Sequence, residues 1–282
     1  DTQDLSYNSS TKVLSLTDGG TVDLSGFSST SGASSLNGLS DVLIESNSIY
    51  LGNDPSSTTS TAQYNIAVGT TALDALTSGD KNTGVGYNAL TANTTGTQNT
   101  ASGSHALYSN TTGNYNTAMG GSALYSNTTG SNNMASGYRA LRSNTTGTQN
   151  TASGSDALRY NTTGDDNIAI GSEALAANTT ASDNTAIGTS ALKANTTGTS
   201  NTAIGKNALL INTDGNYNVA IGSSALDSNI GGDQNTAVGH ASLQANSTGG
   251  QNTAVGLAAL YVNTTGSYNS AVGLNALYKN TT

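Results

Sequence analysis

Apolar and polar positions recur along this chain with a period of 17, and from Asn65 onward the period never slips. Copies begin at Asn65, Asn82, Asn99, Asn116, Asn133, Asn150, Asn167, Asn184, Asn201, Asn218, Asn235, Asn252 and Asn269; twelve are complete and the thirteenth stops at Thr282. The shared unit is Asn-Thr-Ala-(Ile/Val/Ser)-Gly-x-x-Ala-Leu-x-x-Asn-Thr-Thr-Gly-x-x. A short fixed period marks a solenoid, in which each repeat packs only on its neighbours. Helix-pair repeats need about 30 residues or more, and Thr, Ile, Val, Asn and Gly favour strands and turns. The unit predicts two short strands per coil, Asn-Thr-Ala-Ile-Gly and Ala-Leu-x-x, joined by an Asn-Thr-Thr-Gly turn. Gly holds the fifth place in all thirteen copies and the fifteenth in eleven of twelve. These Gly and Asn residues fit corners that need positive φ. The predicted fold class is all-β, a parallel β-solenoid of 17-residue coils. At about 4.8 Å per coil, the array makes a rod about 60 Å long.

Side chains 17 apart become vertical columns. Leu fills the ninth place throughout; Ala fills the third except at Gly84 and the eighth except at Ser242. These columns predict a dry, narrow interior, and the leading Asn column predicts an amide ladder. The fourth place reads Val68, Val85, Ser102, Met119, Ser136, Ser153, Ile170, Ile187, Ile204, Ile221, Val238, Val255 and Val272. Strand alternation sets it opposite the third-place Ala, so both strand faces are largely apolar. A second apolar face calls for a partner, and closed symmetric assembly supplies one. The expectation is a homotrimer; the alternative is a lone coil that buries the fourth place by itself.

Three segments follow: 1–30, a small N-terminal β module; 31–64, a linker leading into the solenoid; and 65–282, the thirteen repeats. In the first, Leu14, Leu16, Val22 and Leu24 alternate with polar residues as in a hairpin, with turns at Asn8-Ser9-Ser10 and Asp18-Gly19-Gly20. Ser25 to Ser35 is Ser/Gly/Thr-rich and reads as a linker. Val42 to Leu51 is strand-like, and Pro55 marks an irregular approach to the rod. The module either caps the first coil or docks to a neighbouring protein.

Composition narrows the partners. Among 282 residues there are one Phe, no Trp, no Cys and a net charge of −9. A thick globular core and thiol chemistry are thereby excluded. Eight Lys plus Arg make a poor nucleic-acid binder, and no apolar run is long enough to insert in a membrane.

The Asn-Thr-Ala-Ile-Gly-x-x-Ala-Leu-x-x-Asn-Thr-Thr-Gly unit resembles repeats of bacteriophage tail fibres and related bacterial surface proteins. Its Ala-Ile-Gly-x-x-Ala core is similar to head repeats of trimeric autotransporter adhesins, which have a shorter unit. The stretches Leu36 to Val42 and Ile49 to Pro55 look like the lead-in of such fibres. The resemblance covers about four fifths of the chain and implies a left-handed, homotrimeric β-roll in an extracellular or virion fibre.

Candidate chemistry lies in the sixth, seventh, tenth, eleventh, sixteenth and seventeenth columns, which vary freely and hold every Tyr of the array. Tyr108 and Tyr125 share the tenth column in successive coils, as do Tyr261 and Tyr278. Such ladders suit a glycan or another cell-surface receptor; the plainer reading is strand-edge packing. Asp156 and Glu173, and Asp166 and Asp183, are carboxylate pairs one coil apart. They could hold Ca²⁺, although a solvated acidic patch explains them, and no other cofactor is implied. His105 and His240 lie eight coils apart. No nucleophile–base set stands out, so the chain reads as a non-enzyme. Asn-Thr-Thr is a glycosylation sequon at Asn93, Asn110, Asn127, Asn144, Asn161, Asn178, Asn195, Asn246, Asn263 and Asn280; turn geometry explains it without sugar.

The function expected is a structural and adhesive fibre shaft, of a phage tail fibre or a bacterial surface appendage. The alternatives are an extracellular filament of rods stacked end to end, glycosylated if the sequons are used, and an ice-binding solenoid. The last needs a Thr row, which Ile66, Met134, Ile168, Val219 and Ser270 interrupt.

Overall fold

The computed structural model describes residues 5–8, 13–16, 21–23, 42–45, 47–52 and 61–281, and these contain strands and turns but no helix. Thirteen strands of three residues, from β6 (Ile66–Val68) to β18 (Ser270–Val272), occupy the second to fourth places of successive copies. Each pairs parallel with the strand one copy on: Thr185 lies against Thr202, Ala186 against Ala203 and Ile187 against Ile204. The fold is therefore the parallel β-solenoid that the period predicts. A separate antiparallel sheet joins β1 (Leu5–Asn8), β2 (Val13–Leu16) and β3 (Thr21–Asp23), as the N-terminal alternation predicts. Ser9, Ser10, Asp18 to Gly20, Ser25 to Ser35 and Pro55 lie outside the described residues.

The register starts one coil before the consensus does. Strand β5 (Ser48–Leu51) pairs parallel with β6, setting Ile49 against Ile66 and Tyr50 against Ala67. Ser48 takes the place of the leading Asn, and its Oγ accepts the Asn65 N–H at 2.9 Å. Tyr50 takes the place of an interior Ala and is fully buried. Antiparallel β4 (Val42–Glu45) then covers the outer edge of β5, with Leu43 opposite Tyr50 and packed on the core. A strand laid across a sheet edge removes the template for unwanted pairing.

Ala-Leu-x-x is not a second strand. In every copy the seventh-place residue and the ninth-place Leu have left-handed backbones, the leucines at φ between 49° and 56°. A left-handed aliphatic residue costs about 1–2 kcal/mol. Complete burial of each Leu from Leu73 to Leu260 offsets it, since a buried Leu contributes about 1.5–3 kcal/mol. Stacking survives without strand geometry: Leu90 N–H bonds the Ala106 carbonyl at 3.0 Å, and Leu158 bonds Ala174 likewise.

Corner chemistry also differs from expectation. Fifth-place Gly does sit at positive φ, from 126° to 139°, but the fifteenth-place Gly and twelfth-place Asn do not. Space explains the fifteenth place. A Cβ built on Gly147 would stand 2.5 Å from both Asn144 Oδ1 and the Gly164 carbonyl oxygen. At the exception, Ala181, the stack is looser: the Asn195-to-Asn178 amide bond lengthens to 3.2 Å, against 2.8 Å between Asn178 and Asn161.

The third, eighth and ninth columns form the core, as predicted. Two amide ladders flank it. From Asn82 to Asn269 each leading Asn donates its backbone N–H to the Asn Oδ1 one coil back, and all but Asn218 and Asn269 add a side-chain N–H, as from Asn116 to Asn99 at 3.2 Å. The twelfth column builds a second ladder, unbroken from Asn93 to Asn280, with Asn161 donating to Asn144 at 2.8 Å. Both ladders converge on the fifteenth-place carbonyl: Gly164 O accepts from Asn150 at 2.8 Å and from Asn161 at 3.0 Å.

Candidate binding surfaces

With the inner columns occupied, recognition chemistry is confined to what the coils turn outward. The third-place Ala points in, so the second and fourth places of the strand point out. Ile170, Ile204 and Ile221 are each more than a third exposed, and Val272 is 75% exposed. From Ile170 to Val272 the fourth column presents seven consecutive aliphatic side chains, a stripe about 30 Å long.

The tenth-column tyrosines do stack, but on each other. Tyr108 and Tyr125 lie 5.0 Å apart at 9°, and Tyr261 and Tyr278 lie 4.9 Å apart at 3°. Stacking along the rod axis turns ring faces toward ring faces. Within each pair, a sugar would meet ring edges and hydroxyls. The outer face of Tyr125 carries the Arg142 guanidinium, 5.3 Å from the ring centroid. His105 packs 5.5 Å from Tyr108 and 5.2 Å from Tyr87, and Asn88 Nδ2 lies 3.2 Å from its Nε2. His240, eight coils on, is no part of this cluster.

The acidic candidates separate into two columns with different partners. Asp156 lies 3.1 Å from Arg139 Nε and 3.5 Å from Arg159 Nε. Glu173 accepts from Lys193 at 2.8 Å, and this hydrogen bond holds its carboxyl below the ordinary value against an opposing desolvation. Asp166 Oδ1 accepts from Gln149 at 2.9 Å. Asp183 continues the seventeenth column one coil on. Protein cations already occupy the Asp156 and Glu173 carboxylates, and among the described residues no three or more acidic or His side chains converge on a common point. Half-buried Asp227 faces Gln244; burial raises its carboxyl above the ordinary value, and the Gln244 hydrogen bond partly offsets this.

Nine of the ten sequon asparagines are fully buried, and Asn280 is half-buried. In the buried members from Asn110 onward both amide hydrogens are committed, as in Asn144, which donates to Asn127 at 2.8 Å and to Gly147 O at 2.9 Å. The folded coil has no room for a sugar there. The following Thr has its own structural work: Thr145 Oγ1 donates to the Thr162 carbonyl of the next coil at 3.0 Å.

The sixteenth column is not free to vary. From Asp80 to Ser267 it holds only Asp, Asn, Ser, Thr or Gly. Each Asp, Asn or Ser there accepts the backbone N–H of the coil before, as Asp165 Oδ1 does from Thr148 at 2.6 Å. That short alphabet was the signal available in the sequence. Residue type varies most widely in the sixth, seventh, tenth, eleventh and seventeenth columns.

By its architecture the chain is a parallel β-solenoid repeat protein. Set against known protein families, curated proteins and solved structures, it matches none. No helix among the described residues is long and apolar enough to cross a membrane.

Proposed function

We propose that the chain is the shaft of an extracellular structural and adhesive fibre, a phage tail fibre or a bacterial surface appendage, built as a homotrimer. The observation that carries this reading is the outward aliphatic stripe from Ile170 to Val272. Continuous exposed apolar surface of this kind marks an interaction face. Three copies turning the stripe to a common axis bury it with closed symmetry. The outer columns then stay available for glycans, and the rod holds whatever follows it at a distance. The edge covered by β4 supports discrete rods rather than end-to-end filaments, because stacking needs both ends open. Ice binding gains nothing from the geometry: the second-column Thr residues do face outward, but Met134, Ile168 and Val219 still break their row.

Light scattering of the purified chain tests the assembly. We expect the mass of three chains, reduced to one by the pair Ile187→Lys and Ile204→Lys with the β circular dichroism retained. A monomer mass for the unaltered protein overturns the trimer. Electron micrographs showing continuous fibrils rather than separate rods favour the filament.

A further inference from the structure

Each stacked tenth-column tyrosine spends one ring face on its neighbour, and the structure offers more open rings in another column. Tyr64, Tyr115, Tyr217 and Tyr268 all stand in the seventeenth place. Their numbers differ by 51, 102 and 51, that is by three, six and three coils of 17. The one site this spacing skips, residue 166, is Asp. All four rings are exposed, from 56% at Tyr64 and Tyr115 to 80% at Tyr268. None enters a ring stack or a cation contact, unlike the tenth-column rings.

Local structure does not call for Tyr here. The seventeenth place has a left-handed backbone in every coil, with φ between 55° and 62°. Asn and Gly suit that region, whereas a bulky aromatic is an outlier in it. Nor does the fold impose a three-coil period, since its own period is one coil. Tyr recurring against local preference, at a spacing the scaffold does not need, points to something outside the scaffold.

The chemistry between the rings identifies it. Between Tyr217 and Tyr268 the column carries Gln234 and Gln251, whose amides bond at 3.1 Å. Beside them Gly231 and Gly250 replace larger residues and open a groove of about 330 Å³, also lined by Asp233, Gln234, Gln251 and Tyr268. Amides, a carboxylate and an open phenol ring suit a polyhydroxylated ligand. The groove has no Lys or Arg, and Asp233 repels anions. Three coils span about 14 Å, and a pyranose unit in an extended β-linked chain advances by nearly one coil rise. We propose that the seventeenth column is a linear binding track for a neutral, extended β-linked polysaccharide, gripped by one tyrosine per three sugar units. The proposal rests on the reading of the rod as a glycan-contacting fibre and names the ligand class and its site.

Native electrophoresis of the full chain through gels containing hydroxyethyl cellulose, xylan or alginate tests it. Tyr217→Asn and Tyr268→Asn are gentle variants, because Asn132 already occupies the same place. A composition-neutral swap, Tyr217→Gln with Gln234→Tyr, shortens the ring spacing from three coils to two. We expect retardation by a neutral polymer and none beyond the bare gel by alginate. Each Asn variant weakens binding roughly tenfold, and so does the swap, with rod mass unchanged. The proposal is overturned by no retardation in either neutral gel, by equal retardation in alginate, or by a swap that binds like the parent. A changed chain count in the double Asn variant also overturns it, by placing the column between copies. Failure here leaves a fibre of unaltered mass, whereas failure of the fibre reading appears first as a monomer.

Discussion

Asn161 separates two explanations of the Asn-Thr-Thr motif. As a ladder member it donates to Asn144 at 2.8 Å and to Gly164 O at 3.0 Å, and accepts from Asn178 at 2.8 Å. Asn161→Ala leaves Gly164 O satisfied by Asn150. It orphans the buried Asn144 Oδ1 and one N–H of Asn178. Each buried orphan costs about 1–3 kcal/mol, so the loss sums to about 2–6 kcal/mol before any cavity cost. Thr163→Ala destroys the same sequon but removes an exposed hydroxyl, which is worth at most about 0.5 kcal/mol. Urea unfolding followed by circular dichroism measures both, and hydrogen exchange locates the damage. In a nearest-neighbour rod, Asn161→Ala should raise exchange mainly in the coils beside it. If the two variants unfold alike, or if Thr163→Ala is the worse, the amide ladder is not what the motif serves.

Three further expectations follow from the packing. Gly84→Ala should stabilise by about 1 kcal/mol, because its Cβ would meet Ala89 O at 3.3 Å and Leu73 at 3.5 Å where other coils already hold Ala; an unchanged or lower unfolding midpoint counts against it. Leu175→Asp puts a carboxylate into the fully buried column and should cost more than about 4 kcal/mol, so an unaltered thermal melt would refute the interior assignment. Asp227 carries a raised carboxyl pKa: its protonated form is favoured in the folded rod, a contribution fully present below the unfolded value and lost as pH rises through the folded one. Asp227→Asn should therefore be more stable than the parent near pH 7 and lose that advantage toward about pH 3, and a gap that widens on acidification would contradict the sign.

The inner columns are legible in the sequence because each tolerates almost one residue type: Leu73 to Leu277 and the leading Asn column take their places in a coil from spacing alone. What stayed hidden did so for different reasons. Leucine in a left-handed backbone runs against local propensity, so Ala-Leu-x-x looked like a strand; only contacts to the coils above and below stabilise it. The second amide ladder lay behind a turn explanation that was already sufficient. The coil beginning at Ser48 shares little with the consensus beyond Gly52 and the spacing to Asn65, and Tyr50 fills its bore where the array uses Ala. In the tenth column the spacing correctly brought Tyr108 onto Tyr125, yet it could not show that one face of each ring would be consumed by the other.

Cohesion is carried by the inner columns and residue variety by the outer ones, and this has a mechanical consequence. Nearly every coil is joined to the next by the same inner bonds, so the residues of the freely varying outer columns can change along the rod with little effect on its cohesion. The fourth column does change: Ser102, Met119, Ser136 and Ser153 give way to an unbroken aliphatic run at Ile170. All three arginines within the array, Arg139, Arg142 and Arg159, fall in the Ser-rich zone, two of them around Asp156. A trimer that buries the fourth column would then be held chiefly by the half from Ile170 onward. The Ser-rich half would meet its copies through polar groups and water, which associate more weakly per unit area than aliphatic faces. Strands would part there first, and hydrogen exchange at Ser102 to Ser153 should outrun exchange at Ile187 to Val255 in the assembled rod but not in the monomeric Ile187→Lys, Ile204→Lys variant. Equal protection in both zones of the assembled rod would mean that the aliphatic stripe is not the joint.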